Sequence, residues 1–360
     1  MDELSTNVGS ATHNHPEAPV RHSYPLAIRD AGLSTAIGLL IKTMPYALAR
    51  FGVLLAVSVV SIVWYVITLG GWGVLTAKVH AGIGYVWLLG GLGTYGYLWF
   101  TVVRYFLYML KAGHIAVLTD LITHGRVGDG TEGMFVYGKR VVTERFGQMN
   151  AMFALDLLVH GVVRAFNRTL DWIASLLPVP GLDGVVGIVN AIVFAATTYV
   201  DETILSYSLA RGDNDVFRSS RDGLIYYAQN SKEVLKTGVW IVVLDKVATF
   251  FTWMAMLLPA IAITWMLPSS IQGVGGFFTL VVSALLAWNL RAAFLEPMFL
   301  IMVMVKFHVS VREQPINLEW DARLTSVSDK FQQLKQKVST ATANNPSATT
   351  ATAAVSSLLT

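Results

Sequence analysis

Long uncharged apolar runs alternate with short polar ones along most of the chain. Phe51–Leu69 reads FGVLLAVSVVSIVWYVITL, and Ala81–Val103 is a second run rich in glycine (Gly82, Gly84, Gly90, Gly91, Gly93, Gly96). Val247–Leu267 and Ile271–Leu290 form a later pair joined at Pro268-Ser-Ser. A helix rises about 1.5 Å per residue and the hydrocarbon of a bilayer is about 30 Å thick, so about 20 such residues suffice to cross it. The pattern predicts four spanning helices. Glycines at these spacings allow close helix approach in lipid, or else weaken the second helix.

The middle of the chain reads differently. Ala151–Leu177 is apolar on most of its circumference, but Asp156, His160, Arg164, Asn167, Arg168 and Asp171 recur at steps of three and four. Those steps draw one polar stripe down one helix face. The stripe faces water if the helix lies flat in the membrane interface, or lines a polar cavity if the helix crosses or re-enters. Asp171–Asp201 also fits a re-entrant hairpin turning at Pro178–Pro180, provided protein or water covers its backbone. The expected fold is an all-α integral membrane protein with four to six membrane segments, or four spans plus a re-entrant hairpin. Amphipathic helices should pack at the cytoplasmic leaflet.

Composition agrees. Of 360 residues, 54% are hydrophobic and 14% charged, against about 25% charged in soluble domains; the mean hydropathy is +0.55. The polar first thirty residues lack the apolar core of a cleavable signal, so the first span should serve as an uncleaved anchor. With no cysteine, disulfides, thiolate metal sites and cysteine nucleophiles are excluded. Lysine and arginine cluster in the N-terminal flank, after the second span, in 201–237 and in the C-terminal tail, while the linker 70–80 holds only Lys78. Such bias marks the cytoplasmic side, so both termini are expected there, in a bacterial inner membrane or a plasma membrane.

Charges inside apolar sequence are the candidate functional groups. Asp245 and Lys246 interrupt WIVVLDKVATFF, and Arg291 and Glu296 interrupt the run ending at Lys306. Adjacent helical residues point about 100° apart, so Asp245 and Lys246 each need a separate partner. Lys246 can snorkel to the headgroups from the rim of its span. From Ile271 to Val305 a helix would be about 50 Å long, which predicts a bend or break at Pro297. Both late spans thus carry apolar surface past a charged rim. That surplus must be buried, with 105–123 and 151–177 as the obvious partners. Asp156, His160, Arg164, Asp245, Lys246, Arg291 and Glu296 form the candidate polar pathway, and Asp245, Arg291, Glu296 and the His160 stripe are expected to meet near that layer.

The segment RDGLIYYAQNSKEVLK (221–236), followed by Val242-Val-Leu-Asp-Lys-Val247 and a long apolar run, resembles the C-terminal part of choline-transporter-like membrane proteins over about residues 221–267. The resemblance implies a carrier for choline or a similar cation. The chain departs from that family in being shorter, in having fewer spans and in lacking a cysteine-bearing extracellular loop, and no substrate-binding residue carries over.

Other motifs are weaker. His13-Asn-His15 sits in a polar tail, and the glycine-rich 125–133 lacks EF-hand spacing and reads as a turn. His114 with Asp120, or His160 with Asp156 and Arg164, has the chemistry of a proton relay. No phosphate-binding loop, H-E-x-x-H or G-x-S-x-G occurs, so no catalytic residue, cofactor or metal is expected and an enzyme is the remotest class. A helical membrane domain over 31–310 is expected between a disordered tail at 1–30 and a solvated helix within 311–339, with a disordered 340–360 after it. Two functions remain: a carrier or channel-like protein for a small polar or cationic solute, and a non-transporting scaffold or assembly factor with a cytoplasmic partner. Expected partners are the bilayer and a second copy or another membrane protein, not nucleic acid.

Overall fold

A computed structural model describes residues 24–146, 159, 161–165, 191–192, 194–195, 197–212 and 216–344. Asp156 and His160, most of the 151–177 stripe and the proposed re-entrant turn lie outside the described residues. Regular structure among those described is helical. We number the helices α1 (Leu33–Lys42), α2 (Met44–Lys78), α3 (Ala81–Leu98), α4 (Arg104–Thr123), α5 (Met134–Phe146), α6 (Val200–Arg211), α7 (Val216–Gln229), α8 (Ser231–Met266), α9 (Gln272–Leu290), α10 (Glu296–Val311), α11 (Leu318–Val327) and α12 (Asp329–Asn344). Four rods are long and apolar enough to cross a membrane: Met44–Lys78, Ala81–Thr123, Ser231–Met266 and Gln272–Val311. Their 35 to 43 residues correspond to about 52–64 Å of helix, far more than the ~30 Å of hydrocarbon.

The excess length changes several expectations. The first span is not Phe51–Leu69 alone but part of a helix starting at Met44. The segment 105–123 is no separate amphipathic helix: it continues the second rod through a π-helical turn at Trp99–Val103. The third rod begins at Ser231, well before Asp245. The fourth does not break at Pro297. A π-helical turn over Arg291–Leu295 precedes the proline, which then sits in the first turn of α10.

The two halves share a build that hydropathy does not reveal. In each, a lead helix (α1, α7) ends at one break residue and a long helix follows (α2 with 35 residues, α8 with 36). A short turn leads to a helix of 18 or 19 residues, a five-residue π-turn and a final helix. The break residues adopt one conformation: Thr43 at φ −102°, ψ 17° and Asn230 at φ −103°, ψ 14°. Each caps its lead helix twice at the carbonyl four residues back. Thr43 donates its N–H and Oγ1 to Leu39, and Asn230 its N–H and Nδ2 to Tyr226. Such caps satisfy carbonyls that a helix end leaves open.

In the apolar sections the helices pack as two hairpins, α2 with α3 and α8 with α9. Gly84 and Gly91 let α3 meet Thr76 and Thr68 of α2 at backbone distance, since a Cβ on Gly91 would lie 2.5 Å from the Thr68 methyl. Two indoles cross the same seam: Trp64 Nε1 donates to Gly91 O (3.0 Å) and Trp87 Nε1 to Thr68 O (3.1 Å). Elsewhere these sections are bare, with Val86, Leu89, Phe250, Trp265 and Phe277 all exposed.

The other ends of the rods are buried in protein. The second half of α4 from Ala112 is enclosed on nearly every face, and α10 buries Phe299, Ile301, Met304 and Phe307. Around them α1, α6, α7, α11 and α12 form a helical layer with one large core. The C-terminal segment is two helices rather than one solvated helix, and Leu324, Phe331 and Leu334 enter that core. The N-terminal tail also docks from Tyr24: its hydroxyl meets His308 Nδ1 (2.6 Å), and the Ala27 N–H donates to Ile122 O.

Candidate functional site

Where the apolar sections end and the layer begins, four charged side chains form an alternating row. Asp245 lies on α8, Arg291 opens the π-turn, Glu296 closes it, and Arg50 comes from α2. Arg291 Nε and Nη2 reach the same oxygen of Asp245 at 3.0 and 2.9 Å. Its Nη1 lies 3.6 Å from Glu296 Oε1, and the other Glu296 oxygen accepts from Arg50 Nη2 at 2.6 Å. Positive and negative charges alternate, so the row is neutral as a whole. It joins the second half of the chain, which gives three members, to the first, which gives Arg50. The π-turn makes this possible by widening the helix by one residue: Arg291 and Glu296, five residues apart, both face the row.

A small cavity adjoins it, bounded by Tyr46, Arg50, Lys111, His114, Tyr199 and Glu296 with a volume of about 20 Å³. That is space for about one water. Lys111 pairs with Glu202 of α6, which is almost fully buried. His114 is buried as well; its Nε2 lies 2.9 Å from Thr43 Oγ1, and its ring stacks on Tyr46 at 5.0 Å. Burial pushes the Tyr199 hydroxyl well above its ordinary range, and the nearby Glu296 carboxylate adds to the rise. Tyr199 therefore stays a neutral hydroxyl.

The row brings together three residues that sequence reasoning selected, Asp245, Arg291 and Glu296. Lys246 is not among them. It is exposed, as its position one residue on from Asp245 requires. Arg164 is exposed too and joins no ion pair among the described residues. Arg50 was legible only as a flanking base, because nothing in its local sequence announces a partner 246 positions away. Lys111, Glu202 and Tyr199 were missed for the same reason. His114 and Asp120 do not meet: Asp120 instead binds His124 Nδ1 (2.7 Å) and the Gly128 N–H (2.5 Å). In the 125–133 loop, Gly125, Gly128 and Gly130 take positive φ, Asp129 is bound by Thr131, and Glu132 by Arg140. These carboxylates shape a turn. No cluster of three or more potential metal ligands occurs among the described residues.

Among the described residues these features define an all-helical protein with four helices long and apolar enough to cross a membrane, two halves of common build, and an ion-paired row where the halves meet. No protein-family model matches the chain, and neither does any curated protein or solved structure. The resemblance to choline-transporter-like proteins accordingly rests on its own short motif.

Proposed function

We propose that the protein acts at one face of a membrane, as an anchored scaffold whose helical layer binds a partner protein, and that its spans do not form a solute pathway. One observation carries this reading: among the described residues the cleft between the spans is lined mainly by apolar side chains and by no charged one. The central sections of the spans bear no charge, three of the four leave most of their apolar window exposed, and the charged row lies at one rim. A pathway for a cation would need ionisable or polar groups at depth. The cavity beside the charged row holds about one water, too little for a solute the size of choline. The layer lies on the cytoplasmic side in this reading, because Lys42, Arg50, Arg104, Lys139 and Lys232 belong to it and Lys78 alone marks the opposite turns.

Carrier function is the second reading. It is favoured by the row joining two halves of common build, since repeat interfaces are where transporters place their sites, and by the π-turn within the row. Flux decides between the two. Purified protein in proteoliposomes is expected to pass choline no faster than empty vesicles. Saturable uptake that Glu296→Gln abolishes would establish the carrier instead. Affinity purification from mildly solubilised membranes should recover a partner bound to the layer, and a lone particle would count against the scaffold. Single cysteines at Lys78 and Ser270 should label from outside only, and one at Lys139 from inside only.

A further inference from the structure

Between the hairpins the rods diverge and leave a cleft of about 490 Å³, walled by α2 on one side and α9 on the other, with Tyr95 and Trp99 beside them. Its mouth opens sideways, because Phe277 and Trp288 on the wall are each 64% exposed. Four polar groups of the wall, those of Ser58, Ser61, Tyr95 and Asn289, already have partners. Ser61 Oγ donates to Val57 O (2.6 Å) and lies 2.7 Å from the Tyr95 hydroxyl, while Asn289 Nδ2 donates to Ser58 Oγ (2.9 Å). A polar solute would find little to bind there; an apolar chain would lose nothing by entering.

Charge marks one end only. The lining stops at Asn289 on α9 and Leu54 on α2. Arg291 follows Asn289 by two residues, and Arg50 lies one helical turn before Leu54, on the same face. An apolar slot thus ends beside two partly exposed guanidinium groups (side chains 22% and 30% exposed), both already paired with carboxylates of the row. Of the two, Arg50 keeps Nε and Nη1 without a partner among the described residues. Arginine at such a position suits a phosphate. Volume selects the occupant of the slot. A helix about 10–12 Å across, spanning ~30 Å, displaces on the order of 2,000 Å³ or more, so neither a second copy nor a partner's helix fits the slot as built. An extended hydrocarbon chain does.

We propose that the cleft binds one membrane phospholipid, with an acyl chain along the slot and its phosphate toward Arg50 and Arg291. The site rests on the chain spanning a bilayer. Recovery of the protein from the soluble fraction without detergent would remove that premise, and is scored separately from lipid binding.

The test uses full-length protein extracted in mild detergent, with bound lipid counted by native mass spectrometry and phosphate analysis. One phospholipid per chain should survive extended washing. Val281→Trp and, independently, Ser61→Phe fill the slot and should each reduce retention about tenfold, the scale expected when extra volume is forced into an occupied space. Leu89→Trp, on the bare face of α3, should retain the wild-type amount. Equal retention in Val281→Trp and Leu89→Trp would overturn the site by showing only lipid of the general annulus. Disulfide cross-linking of Val281→Cys between copies in native membranes would overturn it in favour of a second copy. Retention of diacylglycerol as strong as that of phospholipid would overturn the role given to the two arginines.

Discussion

The rod Gln272–Val311 meets two different environments along its length. Phe277 and Trp288 on α9 stand 64% exposed, while Phe299 and Phe307 on α10 are sealed in protein. The rod Ala81–Thr123 divides the same way, with Val86 and Leu89 bare and Ile115 to Leu118 enclosed. Hydropathy is similar on both sides of the division in Gln272–Val311, so there it does not distinguish surface made for lipid from surface made for a protein core. Packing does. In lipid, apolar contact between helices gains little over contact with acyl chains, and close approach with local hydrogen bonds must hold the hairpins. In the layer, burial removes apolar surface from water and dominates stability.

The largest expected effect exploits that contrast. Phe307→Ala should destabilise the protein by about 3–5 kcal/mol, because the layer cannot fully collapse around the void. Phe250→Ala, 60% exposed on α8, should change stability by under about 0.5 kcal/mol. Thermal unfolding of both variants in one detergent measures the difference. Equal losses would mean that Phe250 is covered by something other than lipid or detergent.

Next is the hairpin seam. Gly91→Ala forces a methyl against Thr68, whereas a Cβ on Gly93 meets nothing within 4 Å. Overpacking at the first position should cost about 1–3 kcal/mol, while the second should gain up to about 1 kcal/mol from helix propensity. A cross-link between cysteines placed across α2 and α3 should form more slowly in Gly91→Ala alone. Unchanged cross-linking and stability would show that the seam tolerates separation.

These contrasts also show which parts of the molecule could be read from the sequence. The four rods were legible because their uncharged runs are long. That they are longer than a bilayer is thick and bury the surplus followed from the apolar residues just before Asp245 and from the run after Arg291. The meeting of Asp245 with Arg291 and Glu296 followed in turn, since stranded charges on neighbouring helices need partners. The π-turns were not legible: a one-residue widening leaves no mark in hydropathy, and Pro297 pointed only to an irregularity nearby. The shared build of the two halves was hidden because it resides in backbone conformation, with Thr43 and Asn230 doing one job through different side chains. The enclosure of α4 was hidden because the helices that cover it come from distant parts of the chain.

Within the layer, Ser206→Ala tests polar burial. Ser206 Oγ lies 2.8 Å from both His308 Nε2 and Thr119 Oγ1, and Ser206 and His308 are fully buried. Losing the hydroxyl leaves buried polar atoms short of a partner, at a cost of about 1–2 kcal/mol. Thermal unfolding of Ser206→Ala beside Ser283→Ala, a position on α9 whose hydroxyl has no partner among the described residues, should show the loss in the first variant only.

The smallest expected effect lies at the boundary between the regions. Arg291 bridges Asp245 and Glu296, all three side chains being 20–30% exposed. Partial hydration screens the attraction, so Arg291→Gln should cost about 1 kcal/mol, nearer to a surface pair than to a sealed one. Asp245→Asn alone leaves Arg291 its contact with Glu296 and should cost less. Combining the two substitutions should recover part of the sum, with a coupling of about 0.5–1 kcal/mol in a double-mutant cycle. Raising ionic strength should shrink that coupling if water reaches the row. A coupling that is large and indifferent to salt would mean that the row is sealed, which would set the edge of the apolar region one helical turn deeper into the layer.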